Sequence, residues 1–158
     1  MDSYGSWKAM RRRVDAMPAD RQAAFALACA QGTVAGRDVG LLGALESGWD
    51  ALVDRGDVAE LLRTLEHDRE LDDDPVAATY YALSSLQGEA GAAWWAASRA
   101  LDQAFSGVDY PDDAVAFRPV EADALSAVVQ SEMARQLHLL QIAESAPDLT
   151  AAVGGLRS

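Results

Sequence analysis

The chain has 158 residues, room for one domain with a sizeable core, and a second domain would have to be very small. Half of it is hydrophobic, thirty-two residues are alanine, isoleucine occurs once (Ile142) and asparagine never, a composition that favours helix over sheet. Thirteen basic against 25 acidic residues leave a net charge of −12, which repels phosphate backbones and excludes general nucleic-acid binding, while a lone cysteine, Cys29, excludes an internal disulfide.

No apolar stretch of signal-peptide length opens the chain. The basic run Arg11-Arg12-Arg13 leads into Val14-Asp15-Ala16-Met17-Pro18, so a cytoplasmic location is expected. The longest apolar stretches, 23–30 and 90–97, fall well short of the roughly 20 residues that cross a bilayer, so no membrane partner is expected either. A first helix is predicted over 6–16, with Ser6 as its cap and Trp7, Met10 and Val14 on one face. Pro18 opens a second, running to Gln31, which packs through Phe25, Ala28 and Cys29 and stops at Gly32. Asp38 caps a third helix with Val39, Leu42, Leu45, Trp49, Leu52 and Val53 as its stripe, ended by the Arg55-Gly56 turn. Asp57 caps a fourth, where Val58, Leu61, Leu62 and Leu65 repeat at helical spacing.

The acidic run Leu71-Asp72-Asp73-Asp74-Pro75 reads as a linker, with Asp74 capping a fifth helix that carries Val76, Tyr80, Leu83 and Leu86. Gly88 and Gly91 interrupt the pattern, which resumes with Trp94, Ala97, Leu101 and Phe105. Residues 106–117 read as the longest loop. Pro119 opens the last long helix, striped by Leu125, Val128, Val129, Met133, Leu137 and Leu140, and Pro147 ends it before a tail that thins out from about residue 154. The expected architecture is all-α: one domain over 1–158, a single bundle of six to seven helices.

The chemistry of the sequence is sparse. Helical di-metal sites need Glu-x-x-His pairs, and neither His67 nor His138 follows a glutamate at that spacing. His67 with Glu70 supplies two ligands where a site wants three or more, so no metal is expected. Cys29 sits among alanines without a basic neighbour and reads as core. No serine stands in an elbow motif and no glycine cluster follows a strand, so neither catalytic residues nor a cofactor are expected. Residues 54–74 hold nine acids against three arginines, the densest imbalance in the chain. Most acidic runs are solvated caps, yet an acidic face also speeds encounter with a basic partner. Glu70, Asp72, Asp73 and Asp74 are therefore candidate partner-binding residues. Trp95 joins them: Trp94 falls on the core stripe, and Trp95, about 100° round the helix beside Ser98 and Asp102, is either an exposed interface anchor or part of a second buried face, the reading that a crowded bundle favours. Glu132 and Gln136, four apart on the last helix, flank its apolar stripe and either reach the bundle interior to bond a neighbouring helix or form an ordinary exposed pair.

Pro18 with Arg21-Gln22-Ala23-Ala24-Phe25-Ala26-Leu27-Ala28-Cys29-Ala30 resembles the opening of the bacterial domain of unknown function 416 family. Trp49, Tyr80-Tyr81-Ala82-Leu83 after an acidic turn, and Glu132-Met133-Ala134-Arg135-Gln136-Leu137-His138-Leu139-Leu140 fit the same order, so the resemblance spans about 7–145. It implies an all-helical fold and hands over no reaction. The expected function is therefore non-enzymatic: an acidic helical protein that binds a basic protein partner or a second copy of itself, for instance as an immunity- or antitoxin-like inhibitor. The alternative is a ligand-binding or enzymatic bundle whose inter-helix pocket is lined by Glu132, Tyr80 or Tyr81.

Overall fold

Residues 23–30 offer no polar side to turn toward water, and a helix that is apolar all round must be enclosed. The structure, a computed structural model that describes residues 3–106 and 126–157, places this run at its centre with every residue from Ala23 to Ala30 buried. Eight helices are present among the described residues, and no strand: α1 (Ser3–Ala16), α2 (Ala19–Gln31), α3 (Val39–Asp54), α4 (Ala59–Asp68), α5 (Asp74–Leu86), α6 (Ala92–Ser106), α7 (Ala127–Ser145) and α8 (Leu149–Arg157). Helix α2 touches α3, α5, α6, α7 and α8. The all-α bundle is as expected, with one helix more than the upper count. Full burial of Phe25 and Leu27 contributes about 2 kcal/mol each.

The seams around α2 are built from small residues. Ala77, Ala78 and Ala82 of α5 and Ala93, Ala96 and Ala97 of α6 are all buried, and these two helices form the most extensive pairing in the molecule. Gly88 and Gly91 separate them, both at φ +80°, a region where a side chain is strained and glycine is not. Gly48 of α3 brings that helix against Leu27 and Leu83, whose methyls lie 2.9 Å from where its Cβ would be.

Several boundaries differ from the sequence reading. Helix α1 begins at Ser3, so Ser6 lies inside it. On α3 the buried stripe is Leu41, Ala44, Leu45, Gly48, Trp49 and Leu52, with Val39 and Val53 exposed, because the close seam runs through Ala44 and Gly48. Asp38 caps this helix as expected, accepting from the Leu41 N–H at 3.2 Å, and Arg55 rather than Gly56 takes the left-handed turn at its end. Asp74 is the first residue of α5, with Asp73 preceding it as the boundary residue. The expected thinning tail is a helix: Asp148 accepts from the Ala151 N–H at 2.8 Å, and Val153 and Leu156 of α8 are buried. The loop expected over 106–117 and the helix start at Pro119 fall outside the described residues, apart from Ser106, which ends α6.

Candidate functional site

Helix α7 carries a polar cluster into the interior. Gln136 is fully buried, with Val129, Met133, Leu140 and Ala143 sharing its face, so the buried stripe is rotated away from the exposed Val128 and Leu137. Its amide oxygen accepts from Trp7 Nε1 at 2.7 Å, and its amide nitrogen donates to the Ala97 carbonyl at 2.9 Å and to Glu132 Oε2 at 2.8 Å. Glu132 also accepts Nε and Nη2 of Arg135, each at 2.9 Å. The same guanidinium donates to two carbonyls in the last turn of α2, Ala28 (3.3 Å), which also accepts the Gly32 N–H, and Cys29 (3.2 Å). Gly32 makes this approach possible, since a Cβ there would sit 2.5 Å from Arg135 Cζ. One network thus ties α7 to α1, α2 and α6, and every hydrogen-bonding group of the Gln136 amide is engaged.

That saturation governs its chemistry. Glu132 holds Arg135 in its charged form against the cost of burial. Burial pushes the Cys29 thiol far above its ordinary range, which leaves a core thiol rather than a nucleophile. A hollow of about 350 Å³ between α6 and α7 is lined by Ala100, Gln103, Ala104, Ser131, Glu132 and Arg135. Of the three residues named as candidate pocket lining, Glu132 lines this hollow, while Tyr80 and Tyr81 are half-buried on α5 and do not. Among the described residues no group of three or more His, Cys, Asp and Glu side chains is placed to hold a metal, and no helix is long and apolar enough to cross a membrane.

The second constellation lies on the outer face of α4, α5 and α6. Of the four tryptophans Trp7, Trp49 and Trp94 are buried, and Trp95 is 49% exposed. Its ring lies 6.5 Å from that of Tyr81, which meets Tyr80 edge-on at 5.8 Å. Tyr80 in turn donates its hydroxyl to Glu66 of α4, and that bond, with the nearby negative charge, pushes the phenol up to about 12. From the other side, the guanidinium of Arg11 on α1 sits over the Trp95 ring at 6.0 Å. A continuous strip therefore runs from a cation, across three aromatic rings, to a carboxylate.

The predicted acidic residues lie at the turn that opens α5 and are not equivalent. Glu70, Asp72 and Asp73 are exposed. Asp74 is partly buried and already engaged: Arg99 Nε donates to its carboxylate at 2.9 Å, while Arg99 Nη2 donates to the Asp72 carbonyl at 2.6 Å. Arg99 stands one helical turn beyond Trp95, so it joins the tryptophan's face to the acidic turn. Arg63 pairs with Glu60, and Arg69 reaches back to Asp38 at 2.8 Å, holding that carboxyl below its ordinary range. Arg11 and Arg99 were invisible to sequence reasoning because their partners lie on other helices. The only local signal was the 100° step from Trp94 to Trp95. The chain matches no family model, no curated protein and no solved structure.

Proposed function

We propose that this is a non-enzymatic binding protein that captures a basic protein through the α4–α6 face. The half-exposed Trp95, backed by Tyr81 and joined through Tyr80 to Glu66, is the observation that carries the reading, and Arg99 one turn further along α6 links that helix to the turn of Asp72 and Asp74. Large aromatic side chains anchor interfaces, and surrounding carboxylates steer an oppositely charged partner toward them. Such a face suits an inhibitor that covers a basic, nucleic-acid-directed active site, met in the cytoplasm. The resemblance to the domain of unknown function 416 family is consistent with this helical frame and adds no reaction to it.

The test is a pull-down from the native host with the wild-type chain, Trp95→Ala and the double variant Asp72→Arg/Asp73→Arg. It is run at low salt and at about 0.5 M, where screening shortens the reach of charge to roughly 4 Å. The expected result is a basic protein held by the wild type at low salt and lost from both variants. Retention of the chain's own untagged copies would identify the partner as a second copy. Equal recovery of the same proteins by all three forms would sink the reading at this face.

A further inference from the structure

We infer that the Trp95–Tyr81 surface reads arginine rather than positive charge in general, and that Arg11 occupies this surface as an internal stand-in until an arginine-bearing segment of a partner displaces it. The inference rests on the proposed binding role of the face and names what the face recognises. A planar, weakly hydrated guanidinium stacks on aromatic rings, whereas a lysine ammonium is a compact, strongly hydrated point charge. The molecule already contains one such contact, since Arg11 Cζ lies 6.0 Å from the Trp95 ring.

Arg11 is only loosely held there. Its sole ion pair among the described residues is with Asp15, one turn along the same helix at 3.7 Å, and both side chains are about half exposed. Contrast Arg99, which is fixed by Asp74 at 2.9 Å and by the Asp72 carbonyl. The cation over the ring is thus the replaceable one, and the cation beneath the acidic turn is not. Beyond the tryptophan, Tyr81 offers a further ring, and Glu66 and Glu89 act on the adjoining Tyr80. A segment carrying two or more arginines finds a stacking surface and carboxylates in succession. Trp95 also rests over the tight Gly91 turn, whose Cβ position is 3.6 Å from Trp95 Nε1, so the indole has a firm backing.

The experiment titrates the full chain with an oligo-arginine peptide and an oligo-lysine peptide of equal length, followed by calorimetry. Wild type should bind the arginine peptide roughly fivefold more tightly than the lysine peptide, the scale of one stacked guanidinium. Trp95→Ala should bring the two peptides level, and Arg11→Ala should strengthen arginine binding roughly two- to fivefold by vacating the ring. Arg11→Ala sits on an exposed helix position, so it reports even if Trp95→Ala perturbs folding. Equal affinity for the two peptides in the wild type overturns arginine recognition, while the acidic face survives if Asp72→Arg/Asp73→Arg weakens both. Arginine binding weakened by Arg11→Ala overturns the stand-in role. No binding of either peptide overturns this inference, and the pull-down then decides the broader reading by itself.

Discussion

The molecule contains two assemblies made of nearly the same parts. Each has a tryptophan, an arginine and a glutamate, drawn from two helices around Gln136 and from three around Trp95. Around Gln136 the tryptophan is buried, its indole N–H has a partner and the arginine is anchored by four hydrogen bonds. Around Trp95 the indole is half exposed, and the arginine above it holds a single long ion pair. The difference lies in saturation rather than in residue type. Groups whose bonding capacity is spent within the chain hold the helices in place, and groups whose capacity is left over are the ones a partner can use.

The largest way to break this comparison is Gln136→Ala. It orphans the Trp7 N–H, removes the side-chain bond to the Ala97 carbonyl and leaves a void, and it should cost about 3 kcal/mol in urea unfolding. A cost under about 0.5 kcal/mol, the range of an ordinary surface change, would show that the network holds nothing together. Gly32→Ala probes the same junction from α2. The methyl displaces the Arg135 guanidinium from the Ala28 and Cys29 carbonyls, and a loss of about 1 kcal/mol is expected in the same assay. Trp95→Ala should behave oppositely, moving stability by less than about 1 kcal/mol while abolishing partner capture. A large loss of stability there would make the two assemblies equivalent and end the distinction.

The smallest effect sharpens the outer face. Because the Tyr80 phenol is raised to about 12 by its bond to Glu66, its neutral form is favoured in the folded chain. That contribution is fully present below the ordinary tyrosine value of about 10 and is lost as pH rises through the folded value. Ultraviolet titration should show one tyrosine ionising late, and Tyr80→Phe should remove that late phase. An unchanged titration curve would place the raised phenol elsewhere.

What the sequence disclosed followed from local physics. The cap at Asp38, the Asp57 carboxylate that accepts from the Ala59 N–H although Val58 holds the cap position of α4, the break at Gly88 and Gly91, and the inward Trp94 all depend on residues within a turn of one another, whereas an exposed Trp95 was one of two readings that the helical spacing allowed. Helix α2 was legible as a helix, but a periodicity argument picks only its stripe through Phe25, Ala28 and Cys29, whereas the whole of Ala23–Ala30 is buried because it is apolar on every side. The stripe of α7 was misplaced because Gln136, a polar residue, sits inside with its bonds made by Trp7 and Ala97 from distant parts of the chain. Helix α8 was hidden by Gly154 and Gly155, yet Gly155 is what lets it approach Ile142, whose methyl lies 2.9 Å from the glycine's Cβ position. Arg11 over Trp95 and Arg99 on Asp74 are pairings between helices, for which no spacing rule exists.

The enclosure of α2 has a consequence for measurement. Amide protons at its centre have no neighbouring surface from which local opening can start, so they exchange with solvent only when the whole bundle unfolds. Their exchange rate is therefore a direct gauge of global stability. Anything that binds the folded chain slows that rate by mass action, wherever on the surface it docks. The amides of Ala26 and Leu27 would thus register occupancy at Trp95 without any probe attached to the binding face.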